Sequence, residues 1–207
     1  MVVIKGNDFE NVNKRQLHFD IGATNFNLED DESSDYLNMQ GDGDINPQVD
    51  TTLSNGILDV NIDMKKELEF DTDISQGKYN AHIGNKDLVT DIQEEIGVGK
   101  ITMNFKKLKI NKMDIKVDIG SATIDLAEES IPADKMNIDV GVGSAEIRIP
   151  KATGVKINYH VGIGTLKVGN IKLNSSNTYI SPNYDSFLKK IEIDVRVGTG
   201  SVTIDGV

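Results

Sequence analysis

Met136-Asn137-Ile138-Asp139-Val140-Gly141-Val142-Gly143-Ser144-Ala145-Glu146-Ile147 reads as two halves of different parity. Met136, Ile138 and Val140 alternate with polar residues, the period of a strand with one apolar face. Beyond the glycines the apolar residues are Ala145 and Ile147, on odd numbers. A plain strand cannot change parity, because a slip of one residue turns its apolar face to solvent. The extra residue must sit in a bulge or corner, and glycine, free to adopt positive φ, makes that corner accessible. The stretch therefore predicts strand, glycine corner, strand, with both arms facing one core.

The pattern recurs. An apolar residue precedes glycine at Ile21-Gly22, Ile96-Gly97, Ile119-Gly120, Val140-Gly141, Val161-Gly162 and Val197-Gly198. Four and six residues after each glycine come apolar residues: Phe26 and Leu28, Ile101 and Met103, Ile124 and Leu126, Ala145 and Ile147, Leu166 and Val168, Val202 and Ile204. Successive glycines are 75, 23, 21, 21 and 36 residues apart, and the middle values are the length of one coil of a stacked β-repeat. The last interval holds an Asn- and Ser-rich insertion near 170–186, read as a loop or hairpin. In the long first interval, Asn55-Gly56 between two alternating runs predicts a two-residue hairpin turn, and Gly41-Asp42-Gly43 a further turn. The organisation expected is an N-terminal β lobe with a hairpin over residues 1–80 and a repetitive β domain over 81–207. Leucine-rich repeats have a similar length but require a helical segment and an Asn column that are missing here.

Composition agrees with an all-β chain of glycine-cornered repeats, a β-solenoid, with a β-sandwich as the alternative. Of 207 residues 25 are Ile and 17 Val, against 12 Leu and 7 Ala, with 19 Gly; such usage excludes a helical bundle. The predicted core is Ile115, Val117, Ile119, Ile124, Leu126, Ile138, Val140, Ile147, Ile157, Val161, Ile193, Val195 and Ile204, with Lys116, Asp118 and Asp125 pointing outward. No apolar run is long enough to span a bilayer, and the start, Met-Val-Val-Ile-Lys-Gly, lacks the features of a signal peptide. Acidity is confined to one half: residues 1–100 hold 21 Asp and Glu against 8 Lys and Arg. With a net charge of -11 and its only basic concentration at Lys106 to Lys116, the chain is unsuited to a nucleic-acid backbone. That basic segment reads as a guarded strand edge.

Motifs for chemistry fail one by one. The absence of Cys excludes disulfides, thiolate catalysis and Cys-ligated zinc. Gly141-Val142-Gly143 lacks the third glycine of a dinucleotide fingerprint, with Glu146 in its place, and Gly99-Lys100-Ile101 is no phosphate loop. Asp42, Asp44 and Asn46 begin like a calcium hand but meet Pro47 and Leu53 where Gly and a carboxylate are needed. The acidic run at Glu29 to Asp35 reads as a solvated loop. His18, His82 and His160 have no paired ligand spacing. No catalytic, cofactor or metal site is expected, and no enzyme activity.

Stacking offers one constellation. The residues two before the repeat glycines are Asp20, Glu95, Asp118, Asp139, His160 and Arg196. If consecutive coils stack in register, Glu95, Asp118, Asp139 and His160 form a column on an outer face, about 4.8 Å apart, and this is the candidate contact face. Three neighbouring carboxylates would repel one another, which a cation or a basic partner would relieve. A second column, Lys100, Thr123, Ser144, Thr165 and Ser201, is rich in hydroxyls.

The segment order is a motif copy at Leu17 to Leu28, then Asp35-Tyr36-Leu37, Asn46-Pro47-Gln48-Val49, a hairpin, and tandem glycine-pair repeats. From about residue 15 to 206 it resembles the toast-rack domain of LiaF-like, cell-wall-active antibiotic response proteins of bacteria. The resemblance implies a ladder of stacked strands, usually carried behind transmembrane helices, that regulates a sensor histidine kinase in envelope-stress signalling or binds an envelope component. It implies a place at the bacterial cell envelope, through membrane segments absent from these residues, and no catalytic residue. An adhesin-like, ligand-binding surface domain is the second class. A carbohydrate-active β-helix enzyme ranks last, since the chain has no Trp to stack sugars.

Overall fold

Each repeat is one long strand bent in its middle. The computed structural model describes residues 1–65 and 77–206, and among these there are thirteen strands and no α-helix. In chain order they are β1 (Val2–Ile4), β2 (Lys14–Asp30), β3 (Leu37–Gly41), β4 (Gln48–Ser54), β5 (Ile57–Met64), β6 (Lys78–Ile83), β7 (Val89–Phe105), β8 (Ile110–Leu126), β9 (Lys135–Arg148), β10 (Thr153–Val168), β11 (Ile171–Leu173), β12 (Ser176–Ile180) and β13 (Lys189–Asp205). In β8 the first arm buries Met113, Ile115 and Val117 and the second Ala122, Ile124 and Leu126. The parity change therefore lies between Val117 and Ala122, and both arms contribute to one buried cluster. Phe19 and Phe26, on opposite arms of β2, meet with ring centroids 5.2 Å apart, so the arms form two walls over a shared core.

Parallel pairing stacks these bent strands. The order is β1-β3-β6-β2-β7-β8-β9-β13-β10-β11, with β5 and then β4 on the first arm of β2 and β12 on the first arm of β10. Strands β5 and β6 divide one coil between them, each pairing in parallel with one arm of β2. Antiparallel strands end the stack on both sides. The hairpin turn is as expected: Ser54 pairs with Ile57, and Asn55 and Gly56 have φ of 52° and 76°. The insertion near 170–186 supplies β11 and β12. The boundary between residues 80 and 81 falls inside β6, and one sheet and one core run through both parts.

Backbone crowding explains the glycines. Gly99, Gly120, Gly143 and Gly200 stand level in adjacent strands with φ of 142–147°. A Cβ on Gly143 would lie 1.8 Å from the Gly120 carbonyl oxygen, and one on Gly120 1.9 Å from that of Gly99. These are the second glycines of the pairs. The first ones have no positive φ, and in β8 their level is held by Asp118.

This corrects the repeat alignment. Val117, not Ile119, pairs with Ile96 and Val140, whereas Ile119 pairs with Val98 and Val142 at the corner. Ile119 is 52% exposed, contrary to the buried position expected for it; the other twelve predicted core residues are buried. An apolar-glycine pair occurs twice in a copy such as Val140-Gly141-Val142-Gly143, and in β8 only the second of the two is present.

Two buried ionisable groups interrupt the core. Arg15 donates from Nη1 to the carbonyls of Tyr36 (2.7 Å) and Gly84 (3.0 Å), and from Nη2 to Thr90 Oγ1 (2.9 Å). It thereby ties β2 and β7 to the segments flanking β3 and β6. Burial lowers its pKa to about 10, an effect that Tyr36 opposes. Glu94 faces inward, level with Phe19 and Ile115, and neither carboxyl oxygen has a hydrogen-bond partner. Burial holds its pKa well above the ordinary value.

Candidate interaction surface

On the first arms, every second residue points outward, and the parallel register sets these residues in rows across the sheet. The row next to the corner runs Asp63, Asp20, Glu95, Lys116, Asp139, Arg196, His160, Ser176. Glu95, Asp139 and His160 are in it, but the expected run Glu95, Asp118, Asp139 is not. Lys116 stands between Glu95 and Asp139, because β8 is two residues out of the assumed alignment. Arg196 stands between Asp139 and His160, because β13 enters the sheet between β9 and β10. Asp118 lies on the same strand, two residues nearer the corner.

Opposite charges meet along this row. Lys116 Nζ reaches Glu95 Oε1 at 2.7 Å and Asp118 Oδ1 at 3.2 Å, and the hydrogen bonds it donates to these two carboxylates raise its pKa. Lys65 Nζ holds Asp20 at 2.6 Å, and His160 Nδ1 meets Ser176 Oγ at 2.6 Å. Neighbouring carboxylates occur only at the other end of the row, Asp63, Asp20 and Glu95, where Lys65 offsets them, and no group of three or more potential metal ligands occurs among the described residues. The hydroxyl column is corrected in the same way: Ser121, not Thr123, stands level with Lys100 and Ser144.

The next row, one not foreseen, is an amide-carboxylate ladder: Asp114, Asn137, Asp194, Asn158, Thr178. Asn137 donates to Asp114, Asn158 Nδ2 to Asp194 Oδ1 at 3.0 Å, and Thr178 Oγ1 to Asn158 Oδ1 at 3.0 Å. Lys135 also pairs with Asp194. Burial works to raise the Asp194 pKa, but the hydrogen bonds from Lys135 and Asn158 prevail and hold it below its ordinary value. The sequence signal was present, since Asp114, Asn137, Asp194 and Asn158 each lie two positions before an outward member of the first row, and Thr178, on an antiparallel strand, two positions after one. Between the rows lies a depression of about 380 Å³, bordered by Gln93, Glu95, Asp114, Lys116, Asn137, Asp139, Asp194 and Arg196. Such a surface can hydrogen-bond and pair charges with an extended ligand.

Two family profiles match the chain: "N-terminal domain of toast_rack" over residues 3–148 and "Cell wall-active antibiotics response LiaF, C-terminal" over residues 97–204. The chain belongs to the toast-rack, LiaF-like family. The overlap of the two matches across β7, β8 and β9 agrees with a sheet that has no break there. This LiaF-like chain is similar in fold to a crystal structure from Clostridium sporogenes described as a "putative cell adhesion protein", with a TM-score of 0.78 and 20% identity over 98% of this chain and 96% of that one. A structure from Bacteroides fragilis described as a "putative adhesin" aligns with a TM-score of 0.27 and 12% identity over 94% and 93% of the two chains, too low to bear on the fold. No curated protein matches significantly. Among the described residues no helix is long and apolar enough to cross a membrane.

Proposed function

We propose that this LiaF-like domain is a non-catalytic scaffold that regulates a sensor histidine kinase of the bacterial envelope-stress response by binding it. The outer wall of the first arms is the contact surface. The observation that carries the role is the pair of family matches, which together run from residue 3 to 204. The surface is assigned from its geometry: consecutive strands repeat polar side chains at about 4.8 Å, an array that suits an extended segment. Glu95, Asp118, Asp139 and His160 remain the proposed contact residues, now with Lys116 and Arg196 among them. The parent protein is held at the envelope through membrane segments beyond these residues.

The test is binding of the purified domain to the envelope-stress sensor histidine kinase of the same bacterium, in nanodiscs, followed by biolayer interferometry. The double variant Asp118→Lys, Asp139→Lys should keep its circular dichroism and weaken binding at least about tenfold, as loss of a charged contact does at an interface. Unchanged affinity in the folded variant refutes the assigned surface. A domain that binds peptidoglycan fragments and no kinase refutes the regulatory role and favours the adhesin-like alternative, which the fold of the C. sporogenes protein suggests.

A further inference from the structure

The two ends of the sheet are alike in geometry and opposite in charge. On the first-arm wall, β4 pairs only with β5 at one end and β12 only with β10 at the other, so each leaves an open edge among the described residues. Both run antiparallel to the stacked strands, and therefore in the same direction as each other. Gln48 stands level with Asp63 and Asp20, in the row that ends at His160 and Ser176. Asp50 lies in the row that ends at Thr178. Gln48–Thr52 and Ser176–Ile180 thus occupy the same five levels, and the even-numbered residues of both point outward. A second copy displaced along the stacking direction brings one segment beside the other in register, with matching faces.

The backbone hydrogen-bonding groups of β12 face the right way for this. Ser175 C=O accepts from Val161 N–H, and Ser181 N–H donates to Val155 C=O. By the alternation of an antiparallel ladder, residues 177 and 179 also face β10, and the N–H and C=O groups of 176, 178 and 180 face the open edge. Thr178 N–H turns to the Asn177 side chain at 2.8 Å. Open edges are commonly guarded by charge, yet residues 173–184 contain no Asp, Glu, Lys or Arg, and Ile180 is 55% exposed.

Charge selects the partner of each edge. Residues 41–64, around β4, carry five Asp and no Lys or Arg, whereas residues 150–206, around β12, carry seven Lys and Arg against four Asp and Glu. Pairing like ends would set Asp50 against its own copy, or one basic end against another. Unlike ends attract. We propose that the chain self-associates head to tail, β4 of one copy adding in parallel to β12 of the next and continuing the sheet from molecule to molecule. Such heterologous contacts do not close and build open assemblies. The second-arm wall has one strand more, β1, which shares only the row of Val2 and Ile171 with β11; the joint must fan open there, which keeps it in the class of weak contacts.

Because the chain has no Cys, single cysteines report the register. Asp50→Cys and Thr178→Cys proteins, mixed under mild oxidation, should cross-link as one-to-one pairs, about tenfold faster than either alone, since docking raises the effective thiol concentration. The double variant should give a ladder of multimers. Concentration-dependent sedimentation of the parent should weaken as salt rises from about 50 to about 500 mM and vanish in Thr178→Pro, where no backbone hydrogen bond to β10 is lost and only the side-chain bond to Asn158 goes. Preferential cross-linking of Thr178→Cys with itself, no cross-link in the mixture of folded proteins, or undiminished association of Thr178→Pro would each overturn the proposal. None of these readouts involves the kinase, so they stand apart from the test of the outer wall.

Discussion

Glu94 is the residue that least fits its surroundings. Its alternation partners Ile92 and Ile96 point into the same core, and parity leaves the carboxyl no other direction. An acid buried without a partner keeps its proton in the folded chain and releases it in the unfolded one. Its contribution to stability is then fully present below the ordinary value of 4.5 and is lost as pH rises from there through the raised folded value. Replacing Glu94 with Leu should therefore stabilise the protein at pH 7 by roughly 2 kcal/mol, the usual cost of an unsatisfied buried polar group. Thermal unfolding of parent and variant from pH 4.5 to 8 checks this, with the gap narrowing toward the acid end. A gap that widened there would show that the carboxyl is ionised in the fold.

At the scale of the strand, the two glycines of a corner do different things. Gly143 has φ near 142° and would push a methyl group into the Gly120 carbonyl, while a methyl on Gly141 would meet the Asp118 carbonyl oxygen at 2.7 Å with no positive φ to maintain. Gly143→Ala should cost about 3 kcal/mol or more, combining a strained backbone with a backbone clash. Gly141→Ala should cost less than half of that. Urea unfolding of the two variants decides between this account and one in which the first glycine makes the corner. Asp118 already tests the point in part, since a side chain stands at the first-glycine level of β8 without breaking the ladder.

For the whole molecule, the continuous sheet implies continuous stability. Leu17, Phe19, Phe26 and Leu28 of β2 belong to the same buried cluster as Ile96, Ile101 and Met103 of β7, and Arg15 links β2 to Thr90 at 2.9 Å. A fragment of residues 81–207 would bare one side of β7 and lose half of β6. It should aggregate or unfold over a broad range, as stacked repeats do without their capping units. A sharp two-state transition of the fragment within a few degrees of the parent would show instead that the division at residue 80 is a true domain boundary.

The local pattern determined by itself that the chain is all β, where the repeat strands and the hairpin run, that each repeat bends at glycine, and which of its faces are buried; the short strands β1, β3 and β6 were not legible. The legible features are consequences of side-chain alternation and of glycine's backbone, both contained in a few neighbouring residues. The hairpin at Asn55-Gly56 was legible for the same reason. Register and strand order were not. Val140-Gly141 and Val142-Gly143 are locally equivalent, so nothing near Ile119-Gly120 tells which of them it matches; the hydrogen-bond ladder with β7 and β9 does. Likewise β10 and β13 have interchangeable apolar patterns, and only the parallel pairing of distant segments puts β13 next to β9. The outer rows depend on both choices. That is why Glu95 and Asp139 were placed on the right face but given the wrong neighbours, and why Lys116 and Arg196 emerged only when the strands were stacked.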